Sequence, residues 1–352
     1  MWEVRRVFPN DPAGITMTMY KGVPVETDPW LEPWQRWDTP QYQAIAARGY
    51  GAFDTALFTP PLYPLLMGAT AGLFGKDSLA SGLFISGLAS LACLLAIHRA
   101  AGYELGDEAA AYRAALFLVI FPTAFFLSAA YSESLFLLGA ILSLYSARRQ
   151  RWLAAGLWGA LAALTRITGP LLVVPLAFTA WQACRSREWR AWLAPLITGL
   201  GALAFPVYVW LGLGKSPLAI LDASTSRGGR LTFPGWNLIE AATRLLHGQL
   251  VEENLIELAF TILFIVLTVL IWKKLPRLYG IYAVTLMLFF LIRFGSPQPL
   301  VSMGRYVLEV FPAFLLLADW GRRPWVNRLV LYLSVLGLLF FSAQFAIWGW
   351  VG

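Results

Sequence analysis

Ten apolar runs, each near the length that crosses a lipid bilayer, limit what this chain can fold into. The hydrocarbon core of a bilayer is about 30 Å thick, which a helix of roughly 17–25 apolar residues spans. The runs cover residues 79–98, 110–129, 133–147, 152–166, 168–183, 191–213, 256–272, 278–293, 306–319 and 326–348. A shorter run at 61–74 is typical of a helix lying in the membrane interface. The sequence therefore predicts an all-α, polytopic membrane protein.

Composition excludes the other broad classes. Charged residues make up 13% and apolar residues 58%, whereas soluble domains have about 25% and about 45–50%. A soluble enzyme, a disordered chain and a disulfide scaffold are thereby excluded. Cys93 and Cys184 lie in or beside apolar runs and are interpreted as small apolar side chains. The absence of a Walker loop, of HExxH and of CxxC from the sequence argues against nucleotide hydrolysis and zinc chemistry.

The positions of lysine and arginine predict the orientation of the spans. Cytoplasmic loops carry an excess of these residues, and every second connection here is basic. The four basic connections lie at 148–151, 185–190, 273–277 and 322–328. We therefore place these connections, together with 99–109, in the cytoplasm. The net charge of +7 is interpreted as the same excess of Lys and Arg in cytoplasmic loops, rather than as a sign of nucleic-acid binding. The external connections are then 130–132, 165–169, 214–255 and 294–305.

Residues 1–75 must also face outside if this alternation holds. The chain is then one integral membrane domain, 1–352, with an external loop carrying interfacial helices (1–75), a transmembrane core (76–213), a second external loop (214–255) and C-terminal spans (256–352). An external segment of this length needs an anchor, and MWEVRRVF offers none. We expect a first membrane helix upstream of Met1, which the in-frame genomic sequence would reveal.

Polar clusters occur in the predicted external segments. Asp38, in WQRWDTP, either caps the helix that follows or acts as a general base. Ser132 and Glu133, after Tyr131, lie in a tight turn, where Ser132 is a candidate cap and Glu133 adds favourable charge at a helix start. The segment FTPPLYP at 58–64 is either a structural bend or a wall of a substrate cavity.

Two arginines stand at predicted external ends of spans, where the charge bias disfavours them. Arg166 either extends its charge to the interface or binds a phosphate. Arg305 is expected to pair with Asp38, with Glu133 or with a lipid phosphate. Glu309 is its candidate partner one helical turn later. Arg244 and His247 are interpreted as solvated loop residues rather than site residues.

In this order, the clusters resemble the PIG-V-like mannosyltransferases, the family of GPI mannosyltransferase II. More broadly, they resemble the GT-C glycosyltransferases, which use lipid-linked sugars. The resemblance covers nearly the whole chain, which looks bacterial. The segments that carry it are Trp37-Asp38, Ile45-Ala46, Gly49-Tyr50, FTPPLYP at 58–64, PTAFFLSAAYSESLF at 122–136, 166–169 and SMGRYVLEVFP at 302–312.

The resemblance implies a GT-C-like bundle of about ten transmembrane helices, with membrane-parallel helices in the first external loop. It implies transfer of a hexose, mannose being expected, from a polyprenyl-phosphate donor to an acceptor hydroxyl, with inversion, at the extracytoplasmic face of the plasma membrane. Asp38 is the expected base. Arg305 with Tyr306, and then Arg166, are expected to contact the phosphate. The other candidate substrate-binding residues are Trp37, Gln41, Tyr42, Asp54, Tyr131 and Glu133.

No obligatory cofactor is expected, and no paired carboxylates at an obvious spacing support a divalent metal. The expected partners are the polyprenyl-phosphate-linked sugar, membrane lipids and a glycolipid, glycan or protein acceptor, without nucleic acid. A lipid or solute transporter, or flippase, is the main alternative, and a non-catalytic subunit of a transferase complex is another. A transporter site is expected near the bilayer midplane, whereas the polar clusters here share one predicted face.

Overall fold

The structure, a computed structural model, describes residues 20–226, 229–248, 252–295, 298–349 and 351. The predicted all-α class is confirmed: the described residues form helices and one two-stranded antiparallel sheet, in which β1 (Gly229–Leu231) pairs with β2 (Arg293–Gly295). The helices are α1 Thr39–Arg48, α2 Leu62–Thr70, α3 Ser78–Leu105, α4 Glu108–Val119, α5 Glu133–Arg148, α6 Trp152–Thr165, α7 Val173–Cys184, α8 Leu193–Leu211, α9 Ala219–Ser226, α10 Trp236–Leu246, α11 Glu252–Lys274, α12 Arg277–Ile292, α13 Met303–Tyr306, α14 Pro312–Trp320 and α15 Pro324–Ala346.

Each of the ten predicted spans coincides with helical structure, but the count of ten spans is not confirmed. Among the described residues, four helices are both long and apolar enough to cross a membrane, at Ser78–Leu105, Trp189–Leu211, Leu255–Lys274 and Pro324–Ala346. Two predicted spans are interrupted next to a proline. The span at 110–129 has an α-helix only to Val119, ahead of Pro122, and the span at 306–319 resumes as an α-helix at Pro312. Proline lacks the N–H group that continues a helix.

The connections predicted to be cytoplasmic meet at one end of the bundle. Arg148 Nε donates to Glu104 Oε1 over 2.7 Å, and Tyr279 Oη donates to the same atom over 3.1 Å. Arg322 Nε lies 3.5 Å from Asp107 Oδ2. These contacts join the ends of α3, α5, α12 and α14, as the alternating charge pattern predicts. The assignment of this end to the cytoplasm stays a prediction.

The two predicted external loops both contain helices. Helix α2 lies at the position of the predicted interfacial helix; Tyr63 and Met67 on it are buried, whereas Leu65 is exposed. Its placement in the membrane interface stays a prediction. The described part of 214–255 contains α9, β1 and α10, and β1 folds this segment back onto β2 at the end of α12. Residues 1–19 of the first predicted loop lie outside the described residues.

Small residues let α6 and α8 approach closely. An added Cβ on Gly201 would lie 2.6 Å from Cα of Ala160, so any larger side chain must push the helices apart. Small residues at such contacts allow membrane helices to pack backbone against backbone. Gly199, two residues earlier on α8, faces open space.

We expect Gly201→Ala to lower the free energy of unfolding by about 1–3 kcal/mol through overpacking. The matched control Gly199→Ala should be neutral or more stable by up to about 1 kcal/mol, because alanine favours helix. Thermal unfolding of the two variants in detergent micelles measures the difference. Equal stability would contradict the close packing of α6 on α8.

Candidate active site

Charged residues from four separate segments form one chain of ion pairs. Asp38 Oδ2 lies 2.8 Å from Arg305 Nη1, and Arg305 Nε lies 3.3 Å from Glu133 Oε1. The same oxygen of Glu133 lies 2.6 Å from Arg166 Nη1, and Arg166 Nε lies 2.8 Å from Glu309 Oε1. We call these five residues the ion-pair chain. The predicted pairing of Arg305 with Asp38 and Glu133 is present in the structure.

Burial differs sharply along the ion-pair chain. The side chains of Glu133 and Glu309 are 0% and 1% exposed, and those of the two arginines are about 10% exposed, whereas that of Asp38 is 26% exposed. Removing a charge from water costs several kcal/mol unless close partners compensate. Glu133 therefore holds two buried arginines in place. Asp38 is the most accessible member and is placed to meet a substrate.

Asp38 occupies the residue before α1, but its carboxylate does not cap the helix. Gln41 Nε2 donates to Oδ1 over 2.9 Å, while Arg305 binds Oδ2. The capping interpretation is therefore wrong for the side chain. Both carboxylate oxygens are instead oriented by residues that line the cavities described below.

The backbone beside Asp38 is held in an uncommon conformation. Trp37 has a φ of +51°, in the left-handed region that non-glycine residues rarely adopt. Its ring packs edge-on against Trp348, at 5.8 Å between centroids. The N–H of Asp38 donates to Tyr131 Oη over 3.1 Å, and Tyr131 Oη donates to the carbonyl of Arg36. Trp37 and Tyr131 thus support the position of Asp38.

Ser132 also has a different role from the predicted helix cap. No capping hydrogen bond forms from its side chain. Its Oγ hydrogen-bonds Tyr42 Oη over 3.0 Å and accepts from Arg166 Nη1 over 3.2 Å. Burial, and then the charges of Glu133 and Asp38, raise the pKa of Tyr42 above its ordinary value of 10.0. Tyr42 therefore stays a neutral hydrogen-bonding phenol at neutral pH.

Tyr131 is kept neutral in the same way. The pKa of Tyr131 is raised well above the usual 10.0, mainly by burial and next by the charge of Asp38. Tyr42 and Tyr131 therefore bind through hydrogen bonds and do not act as bases at neutral pH.

Two predictions about the arginines are corrected. Arg166 is buried between Glu133 and Glu309, so it does not extend its charge to the interface. Glu309 pairs with Arg166 rather than with Arg305. The α-helix containing Arg305 ends at Tyr306, and Val307–Glu309 forms a 3-10 turn, which breaks the i, i+4 spacing.

The short helix α13, which carries Arg305, is anchored on both sides. The buried Glu257 on α11 accepts the N–H of Gly304 at Oε2 over 2.6 Å. Thr123 Oγ1 donates to the carbonyl of Gly304 over 2.8 Å. These contacts fix the backbone next to Arg305 and so help to position Arg305 relative to Asp38.

Three cavities adjoin at Phe58, and Asp38 lines two of them. The polar cavity, about 160 Å³, is lined by Asp38, Asn237, Phe290, Arg293, Arg305 and Tyr306 among others. The inner cavity, about 40 Å³, is lined among others by Asp38, Gln41, Tyr42, Ser132, Arg166 and Tyr306. The apolar cavity, about 280 Å³, is lined among others by Leu57, Ile167, Ala202, Phe205, Ile220, Phe289 and Arg293. Phe58, from the FTPPLYP segment, lines all three, so this segment forms a cavity wall.

Asp54 is not brought into this group. It is exposed, lines none of the three cavities, and makes no hydrogen bond or ion pair with any residue the structure describes. Arg244 pairs with Glu240 on α10 over 2.9 Å, and His247 is exposed at the end of that helix. Arg244 therefore lies on a helix and His247 directly follows it, rather than both lying in an irregular loop, and neither lines the three cavities.

Arg293 and Asn237 are the site residues that sequence reasoning missed. Arg293 stands at the predicted external end of the span 278–293, the same exception to the charge bias that marks Arg305. Asn237 Nδ2 donates to the carbonyl of Arg293 over 2.8 Å. No local pattern in the sequence indicates this contact between residues 56 positions apart.

Within the described residues, no group of three or more His, Cys, Asp or Glu side chains could hold a metal ion. The carboxylates near the site are instead bound by arginines. That no cofactor is obligatory stays a prediction.

Fold and sequence comparisons agree on the class of protein. The solved structure of ArnT from Cupriavidus metallidurans, bound to undecaprenyl phosphate, matches 94% of this chain and 74% of its own, with a TM-score of 0.54 and 15% identity. The chain therefore has a GT-C-like membrane fold, as predicted.

Two sequence matches, each over less than half of the chain, indicate the family. The family model described as Mannosyltransferase (PIG-V) matches residues 25–187, just under half of the chain. GPI alpha-1,6-mannosyltransferase 2 of Rattus norvegicus is 33% identical over 159 residues, which are 43% of this chain and 32% of the relative. The chain thus aligns with about a third of that relative's length. The predicted resemblance to the PIG-V-like mannosyltransferases is confirmed, and the matches support a membrane glycosyltransferase.

We expect Glu133→Gln to lower the free energy of unfolding by about 3–5 kcal/mol, because it leaves two buried guanidinium groups undercompensated. The matched control Glu240→Gln, in the partly exposed pair with Arg244, should change it by about 1 kcal/mol or less. Denaturation of the purified variants in detergent measures both. A small effect at Glu133 would show that the ion-pair chain does not hold the segments together.

Proposed function

We propose that this protein transfers a hexose, mannose, from a polyprenyl-phosphate donor to an acceptor hydroxyl, with Asp38 as general base and with inversion. We place the reaction at the extracytoplasmic face of the plasma membrane. One observation carries the proposal: the most exposed carboxylate of the ion-pair chain opens onto a polar cavity that adjoins a larger apolar one. An amphiphilic donor needs both environments within one molecular length.

In the proposed step, the acceptor oxygen attacks the anomeric carbon while its proton passes to Asp38. The bond from that carbon to the phosphate oxygen breaks, and the phosphate leaves with the electron pair as the polyprenyl monophosphate. Attack opposite the leaving group inverts the anomeric centre. Phosphate is a good leaving group, so the step needs no strong general acid. It needs a fixed base and cations near the departing charge.

The geometry supports a division of roles. Gln41 and Arg305 each bind one oxygen of Asp38, so the carboxylate is held in one orientation. Arg305 and Tyr306 line the polar cavity and remain proposed phosphate contacts. Arg166 is bound by two carboxylates, and we assign it to fixing Glu133 rather than to binding phosphate.

The remaining candidates receive revised proposals. Tyr42 lines the inner cavity as a hydrogen-bonding group for the sugar or acceptor. Trp37 and Tyr131 support the backbone of Asp38 and are proposed as positioning residues. Asp54 is removed from the proposed site because the structure leaves it outside the cavities.

The comparisons support the substrate classes. The relative's name specifies mannose, and ArnT binds undecaprenyl phosphate in its solved structure. Because Asp38, Glu133 and Arg166 fall within the family match, we propose that these three residues share their roles with the family. The acceptor class stays as predicted: a glycolipid, a glycan or a protein.

The test is transfer from radiolabelled polyprenyl-phosphate mannose in membranes containing the full-length protein, with Asp38→Asn at matched abundance. We expect Asp38→Asn to reduce transfer by about 100-fold or more, the usual contribution of a positioned general base. The control is Asp319→Asn, a partly exposed carboxylate at the opposite end that pairs with Arg322. It should transfer as the wild type does.

Equal transfer by wild type and Asp38→Asn would remove Asp38 as the base. Absence of transfer by the wild type would contradict the proposed reaction and favour the transporter or the non-catalytic subunit.

A further inference from the structure

The guanidinium of Arg293 is poised for a ligand. Arg293 makes no ion pair with any residue the structure describes, and its Nη1 is buried without a hydrogen-bond partner. Its guanidinium carbon lies 5.1 Å from the ring centroid of Tyr306 and 5.7 Å from that of Phe58. These aromatic groups stabilise the charge but leave Nη1 without an acceptor. A buried donor without an acceptor costs free energy, and the cost is larger for a charged group, so an anionic ligand would relieve it.

The other arginines beside Asp38 have carboxylate partners. Arg305 is bound by Asp38 and Glu133, and Arg166 by Glu133 and Glu309. The ion-pair chain contains three carboxylates and two guanidinium groups, which leaves it one negative charge in excess. A phosphate placed against the chain alone would be repelled. Arg293 supplies the positive charge that makes the polar cavity receptive to an anion.

Arg293 also stands at a boundary between two environments. It lines both the polar cavity, with Asp38, and the apolar cavity, with Phe205 and Ile220. A ligand whose anionic group lies at Arg293 therefore has apolar volume on one side and polar volume on the other. An isoprenoid chain, a phosphate and a sugar in that order match this sequence of environments. Arg230, which also lines the apolar cavity, is exposed, stacks on Phe294 and does not line the polar cavity that contains Asp38.

The backbone of Arg293 is fixed before any ligand arrives. The carbonyl of Arg293 accepts a hydrogen bond from the buried Asn237. Arg293 on β2 also pairs with Leu231 on β1. The second external segment thereby holds the end of α12 at the cavities. A donor group fixed in advance loses little entropy when it binds.

We propose that Arg293 binds the phosphate of the lipid-linked donor, with the polyprenyl chain in the apolar cavity and the sugar in the polar cavity beside Asp38. This rests on the proposed function. The planar guanidinium presents paired N–H groups that match phosphate oxygens. As the sugar leaves, the phosphate changes from a diester with one negative charge to a monoester with about −1.5 to −2. The contact therefore strengthens as the reaction proceeds.

Binding of undecaprenyl phosphate to the purified full-length protein in detergent is the first measurement. We expect Arg293→Gln to weaken binding about tenfold or more, as the loss of a charged hydrogen bond does. Arg293→Lys should lie between it and the wild type, and Arg244→Gln, on α10, should bind as the wild type does. Undecaprenol, which lacks the phosphate, and inorganic phosphate, which lacks the chain, should each bind far more weakly than undecaprenyl phosphate.

A second variant tests the chain site without altering Arg293. Ala202→Trp adds a large side chain at the wall of the apolar cavity. It should weaken binding of undecaprenyl phosphate but leave binding of a ten-carbon isoprenyl phosphate unchanged. Thermal unfolding of each variant identifies any loss of binding that is due to misfolding. If Arg293→Gln is unstable, the comparison of the two ligands on Ala202→Trp still tests the proposed lipid site.

Kinetics separates this inference from the proposed function. Arg293→Gln should raise KM for the donor and leave KM for the acceptor unchanged, whereas Asp38→Asn should still bind undecaprenyl phosphate. Binding by the wild type without transfer would overturn the proposed function and keep the lipid site. Transfer by the wild type, with wild-type donor binding and donor KM in Arg293→Gln, would overturn the assignment of Arg293 alone.

Discussion

The carboxylate of Glu133 is the contact on which the rest of the site depends. It lies fully buried at the start of α5 and binds arginines from two distant segments, Arg166 at the end of α6 and Arg305 on α13. Buried charges are tolerated only with close, well-oriented partners. This carboxylate therefore fixes the guanidinium of Arg305, which in turn binds one oxygen of the Asp38 carboxylate.

The ion-pair chain runs from a buried interior to an accessible surface. Glu309 and Arg166 form its enclosed end, and Asp38 forms the end that meets the cavities. Fixed charges of this kind need little rearrangement during a reaction, which is the usual source of electrostatic catalysis. Phe58 and Arg293 line both the polar and the apolar cavity, so they lie where the two environments that an amphiphilic substrate would occupy adjoin.

The same polar site explains why the apolar runs are not uniform spanning helices. Around Pro122 and before Pro312 the α-helices stop, and short 3-10 turns carry the chain past the ion-pair chain. Irregular backbone at membrane depth is tolerated where protein buries it or where it lines a cavity. The left-handed conformation of Trp37 is a further local deviation next to the proposed base.

The sequence by itself determined the all-α membrane class, the positions of the helices, and the grouping of polar segments at one end and basic connections at the other. These follow from hydropathy and charge bias, which are properties of short stretches of chain. Only the tertiary structure decided that Glu309 pairs with Arg166, that Asp54 stands apart, and that Arg293 lies where two cavities meet. An ion pair is selected by distance and burial between segments far apart in sequence, and no local pattern contains that information.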